Sequence, residues 1–123
     1  MKMMQIQNSD LSTKEQRWLN EMLIPTVPEY ETFIAQINTA AVTRDQTLYY
    51  YSLYFHVQPD VPPLYLGSAT PLAIHVAPLE MHLIGGGKSP IVFLLHTQNG
   101  YVSELEVYPA ELTVLPDVID VDI

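Results

Sequence analysis

Two strand-like runs, Ile91 to Thr97 and Tyr101 to Tyr108, flank Gln98-Asn99-Gly100. A two-residue type I′ turn needs positive φ at both central residues, and Asn-Gly meets that need at low steric cost. The spacing therefore predicts a β-hairpin, so the C-terminal half must contain neighbouring antiparallel strands. With Asn99-Gly100 as the turn, Gln98 pairs with Tyr101, Leu95 with Glu104 and Phe93 with Glu106. That register sets Val92, Leu94, Leu105 and Val107 on a core face. Phe93, Leu95, Val102, Glu104, Glu106 and Tyr108 share the other. A plain solvent face does not carry Phe93 and Leu95 side by side, so this second face requires cover. Buried charge is usually paired, which favours cover by the chain itself, with the glutamates paired to Arg17, Lys14 or Arg44. A partner protein is the other possible cover.

The N-terminal half has a different period. Ser12-Thr13-Lys14-Glu15 reads as a capping box, with the serine hydroxyl taking the Glu15 N–H and the glutamate reaching back. Trp18, Leu19, Met22 and Leu23 follow as one helical stripe, and Pro25 stops it. Thr26-Val27-Pro28-Glu29 reads as a second helix start, with proline in the first turn. Tyr30, Phe33, Ile34 and Ile37 then recur at helical spacing up to about Asn38. From Ala41 the period becomes two. Thr47 to Val57 reads as a strand with Tyr49, Tyr51, Leu53, Phe55 and Val57 on one face and Tyr50, Ser52, Tyr54 and His56 on the other. Gln58 to Pro63 holds three prolines and reads as a loop. Leu72 to Ala77 and Met81 to Ile84 are shorter strand candidates. Helices first and strands afterwards give an α+β fold, two N-terminal helices packed on a mainly antiparallel β-sheet. Residues 1–10 read as a flexible tail and 11–123 as a single domain, a size that buries one core unaided.

Composition narrows function by exclusion. The 123 residues contain no cysteine, which removes thiolate metal sites and thiol catalysis. No apolar run follows the N-terminal Lys2, and Ile91 to Leu95 is far too short to span a membrane. The expectation is a soluble, cytoplasmic protein. Fourteen acidic residues against five basic ones give a net charge of −9, and only Lys88 is basic after Arg44. Nucleic-acid binding by phosphate neutralisation needs clustered Lys and Arg, so it is not expected. The acidity serves solubility, attraction to a basic partner, or both.

Gly85-Gly86-Gly87-Lys88-Ser89 superficially resembles a phosphate loop. The required upstream glycine is His82, however, and Pro90 with an aliphatic run replaces the helix, leaving a hairpin loop as the expectation. His56, His75, His82 and His96 lack the short spacings that aim two rings at one metal, so no metal or cofactor is expected. Serines 52, 68, 89 and 103 have no nucleophile-elbow glycines around them. Glu104 and Glu106 could do acid–base work with a histidine such as His96 or His82, making a small hydrolase. The register above sets Glu104 and His96 on opposite faces, which counts against that pair.

The stretch from Val92 to Tyr108, with Gly100-Tyr101-Val102-Ser103-Glu104-Leu105-Glu106 at its centre, resembles a group of small uncharacterised bacterial proteins. These carry a GYLSELE-type hairpin near the C-terminus and a following Leu-Pro, here Leu115-Pro116. Leu11 to Leu23 is similar to the group's opening helix, and Phe33-Ile34-Ala35-Gln36-Ile37 to its L-x-x-Q-L element. After Tyr108 the chain has Pro109-Ala110-Glu111 where relatives carry an Asp-Gly turn. The resemblance implies no established activity. Some similar proteins accompany toxin genes as immunity-type proteins, which implies a small acidic inhibitor. The expected function is thus a non-enzymatic protein-binding module for a basic partner. The partner surface is expected at Glu104, Glu106 and Tyr108 with Tyr50 and Tyr54, extended by Asp117, Asp120 and Asp122. A hydrolase or a structural homo-oligomer, a homodimer for example, are the alternatives.

Overall fold

A computed structural model describes residues 5–66, 76–84 and 90–110. The strand candidate from Leu72 to Ala77 falls mostly outside them. So do the glycine loop 85–89, His75 and the acidic tail 111–123 with Asp117, Asp120 and Asp122. Two helices, α1 (Thr13–Met22) and α2 (Tyr30–Thr39), precede five strands: β1 (Ala41–Gln46), β2 (Tyr51–His56), β3 (Val76–Ile84), β4 (Pro90–Gln98) and β5 (Tyr101–Pro109). The strands form one sheet in the order β1-β2-β5-β4-β3, every neighbouring pair antiparallel. The protein is therefore α+β, with both helices N-terminal to the strands. Among the described residues, no helix is long and apolar enough to cross a membrane.

The helices cover one face of the sheet. Trp18, Leu19, Phe33, Ile34 and Ile37 meet Leu53, Phe55, Phe93, Leu95, Leu105 and Val107 in a single apolar core. Trp18 is the centre of it, edge-on to Tyr51 at 5.6 Å and to Phe93 at 5.3 Å between ring centroids. Such edge contacts place a ring's positive rim against its neighbour's negative face.

The capping box at Ser12 forms as the sequence predicts, and Glu15 does more than cap. Its carboxylate is almost fully buried and takes Arg44 through two hydrogen bonds, Nε to Oε2 at 3.0 Å and Nη2 to Oε1 at 2.8 Å. The Tyr51 hydroxyl also donates to Glu15. Arg44 Nη2 donates onward to the Asp10 carbonyl at 2.6 Å. Burial alone raises the Glu15 carboxyl, but hydrogen bonds from Arg44, Tyr51 and the Ser12 N–H outweigh it and hold it below the usual carboxylate range. Burial and the Glu15 contact push the Tyr51 phenol up to about 12.

Three expectations change. First, residues 5–10 are not a loose tail. Ile6 is buried in the core, and Asn8 Nδ2 donates to the carbonyls of Ile37 at 2.7 Å and Ala40 at 2.8 Å. The end of α2 leaves carbonyl capacity that the helix does not use, and the asparagine amide meets it at Ile37 and at the C-cap Ala40. Second, α2 starts at Tyr30 with Glu29 as N-cap, not at Thr26. Glu29 has φ 58°, and its carboxylate accepts the N–H groups of Tyr65 (2.8 Å) and Leu66, fastening the 58–66 loop against the helix start. Third, the run from Thr47 to Val57 is not one strand. The Thr47 hydroxyl accepts the N–H groups of Tyr49 and Tyr50 at 3.1 and 3.2 Å, and this side-chain turn separates β1 from β2.

The β4–β5 hairpin turns at Asn99 and Gly100, with φ 54° and 85°, as Asn-Gly predicts. Gln98 pairs with Tyr101 and Thr97 with Val102, but the next pair is His96 with Glu104. One step along β4 thus meets two along β5, which leaves Ser103 as the extra residue of a β-bulge. Beyond it the register is Leu95–Leu105, Leu94–Glu106 and Phe93–Val107. Side chains alternate with period two, so this one-residue shift moves every β4 side chain beyond the bulge to the opposite face relative to β5. Phe93 and Leu95 enter the core beside Leu105 and Val107, whereas Val92 and Leu94 lie on the outer face. Val102, expected beside Glu104, is in the core.

Gln36 supports this bulge. It is fully buried, accepts the Val102 N–H at 2.8 Å, and donates to the carbonyls of Gly100 at 3.0 Å and Pro62 at 2.9 Å. The Leu64 N–H also donates to the Gly100 carbonyl, at 2.7 Å. One helix residue thereby ties α2, the proline loop and the hairpin end together.

Candidate functional site: the outer sheet face

Side chains directly opposite one another on neighbouring strands share a face. Two rows run across the side of the sheet opposite the helices. The first is Thr43–Tyr54–Glu104–His96 on β1, β2, β5 and β4. The second is Asp45–Ser52–Glu106–Leu94–Glu80, which reaches β3. Among the described residues the face thus carries four carboxylates, Asp45, Glu80, Glu104 and Glu106. Among the described residues it carries no Lys or Arg. Lys14 and Arg17 lie on α1, and Arg44 turns inward to Glu15.

Neighbouring groups hold most of these polar side chains in place. Ser52 Oγ, nearly fully buried, donates to Glu104 Oε2 at 2.8 Å. Glu106 Oε1 lies 2.9 Å from His96 Nε2, an ion pair whenever the imidazole is protonated. The Tyr50 hydroxyl donates to Asp45 Oδ2 at 2.7 Å, and that bond raises the Tyr50 phenol above its ordinary value. Thr43 Oγ1 and His56 Nε2 are 3.0 Å apart. Beside the first row lies an open depression of about 440 Å³, lined by Thr43, Tyr54, Phe55, His56, Gln98, Ser103 and Glu104.

The residues expected to form a partner surface are thereby placed. Glu104, Glu106 and Tyr108 are half-buried on the outer face of β5, with Tyr54 exposed across from Glu104. Tyr50, at the end of the β1–β2 turn, reaches the same face through Asp45. The glutamates do not pair with Arg17, Lys14 or Arg44, and the helices do not cover them. Glu104 and His96 are not on opposite faces either; the bulge makes them direct neighbours. Sequence reasoning missed Asp45, Ser52 and the Ser103 bulge. Asp45 had a readable signal, since a turn at Thr47–Tyr50 sets it opposite Ser52.

No protein-family profile, curated protein or solved structure matches the chain.

Proposed function

We propose that the protein is a non-enzymatic binding module whose outer sheet face engages a basic protein, in the manner of an immunity-type inhibitor. The observation that carries the reading is charge segregation. Asp45, Glu80, Glu104 and Glu106 share the sheet face opposite the helices, with no Lys or Arg on it among the described residues. Like charges on one surface attract a partner of opposite charge and accelerate encounter. Exposed Tyr54 and half-buried Tyr50 and Tyr108 supply the aromatic area that anchors interfaces.

Affinity capture from cells that encode the chain tests this. The wild-type protein should retain a basic protein at low salt and release it as salt rises. The triple variant Asp45→Asn/Glu104→Gln/Glu106→Gln should not retain it. Equal retention by both, or no specific protein on either, contradicts the reading.

One observation favours a second reading, a small hydrolase: His96 sits 2.9 Å from Glu106 on the open face. A carboxylate beside an imidazole is the orientation a general base needs. Against it, His96 Nε2 is already engaged by Glu106. Turnover in a broad substrate screen, lost on His96→Gln, would establish it in place of the binding role.

A further inference from the structure

The depression at the bulge has a more specific chemistry than the face around it. Glu104 and Tyr54 are direct cross-strand neighbours at its floor. Glu104 Oε2 is occupied by Ser52, while Oε1 has no partner among the described residues. Tyr54 is 36% exposed and borders the same space. Gln98, Ser103 and Thr43 add neutral oxygens around the rim. A carboxylate oxygen for charge, an aromatic face for stacking and neutral acceptors at the edge form a cation-recognition set.

We infer that this depression receives one arginine side chain of a basic partner, its guanidinium stacked on Tyr54 and hydrogen-bonded to Glu104. The inference rests on the binding-module reading and names what that site takes. Arginine suits it better than lysine for two reasons. The depression is open, so a compact, strongly hydrated ammonium gains little by leaving water, whereas the more weakly hydrated guanidinium stacks on an aromatic face. The acceptors are also spread around the rim, which matches a planar fork with five donors rather than a point charge. The bulge contributes directly, since it brings both Ser103 and Glu104 to the depression from consecutive positions.

The test is an amide-resolved NMR titration with N-acetyl-arginine methylamide, with the lysine counterpart and a short oligolysine peptide run in parallel. The arginine compound should give saturable shifts at Thr43, Tyr54, Gln98, Ser103 and Glu104. Affinity should fall about tenfold or more in Glu104→Gln, an isosteric change that keeps an acceptor for Ser52. Tyr54→Leu should weaken binding as well. Glu31→Gln, which removes one charge from the helical side, should leave it unchanged. Saturable arginine binding that is equal in Glu104→Gln, or no saturable shifts at all, overturns the inference. Lysine binding as tight as arginine overturns the guanidinium assignment. The two proposals separate cleanly. Salt-dependent oligolysine binding without arginine saturation keeps the module and removes the pocket. Arginine saturation without oligolysine binding keeps the pocket and removes the acidic docking face.

Discussion

Glu15 is the side chain whose environment departs most from what its sequence position suggests. The sequence identifies it as half of a capping box, and it is that, but Arg44 and Tyr51 also converge on its carboxylate. No local pattern reveals a partner 29 residues away, because the contact depends on the tertiary packing of the two segments. Arg44→Ala should destabilise by about 1–3 kcal/mol in denaturant unfolding. That lies below the cost of breaking a wholly buried pair, since the Arg44 side chain is 40% exposed. The cluster also gives pH a sign at each end. The folded-state value of Glu15 lies below its ordinary 4.5, so its contribution is complete above that value and disappears as pH falls through the lowered one. Tyr51 is raised, so its contribution is complete below the ordinary 10.0 and fades as pH climbs through about 12. Acid titration followed by circular dichroism should therefore show Arg44→Ala unfolding at a higher pH than wild type.

At the scale of elements, the helices and the hairpin turn were legible and the strand register was not. The helical stripes, the Ser12 cap and the Asn-Gly turn are local patterns, and the structure contains each of them. The bulge is set from outside the hairpin: Gln36 on α2 takes the Val102 N–H, 66 residues away in sequence. A regular register exposes Phe93 and Leu95, and the bulge buries them instead. The Gln36 side chain thus supports the register in which Glu104 and Glu106 share the outer face with His96. Gln36→Leu should remove the bonds to the Val102 N–H and the Pro62 carbonyl, leave the Gly100 carbonyl only the Leu64 N–H, and cost about 2–4 kcal/mol, more than loss of one neutral hydrogen bond. Gly100→Ala should cost about 1 kcal/mol or more, because φ 85° suits glycine and disfavours a Cβ. Both follow from urea unfolding midpoints at constant m-value. A Gln36→Leu variant as stable as wild type would remove the proposed control of register.

On the scale of the whole molecule, the sheet separates two kinds of surface. The covered side holds the apolar core and the Glu15–Arg44 pair; the open side holds carboxylates, tyrosines and two histidines. Net charge was readable from composition, but which carboxylates meet on the outer face depended on the register. The face's carboxylates accept hydrogen bonds from Ser52 and Tyr50 or meet His96, and amide oxygens can do the same. At Asp45 and Glu104 these bonds do not require the negative charge, which sets like charges near one another. Clustered like charge of this kind tends to reduce stability, so a face that keeps it for binding should not lose stability when it is neutralised. The most direct measurement is the unfolding free energy of Asp45→Asn/Glu104→Gln/Glu106→Gln at neutral pH and low salt. The account predicts a triple variant at least as stable as wild type, within about 0.5 kcal/mol or above it. A loss of several kcal/mol would show that these carboxylates serve the fold, and would contradict the assignment of the outer face to binding.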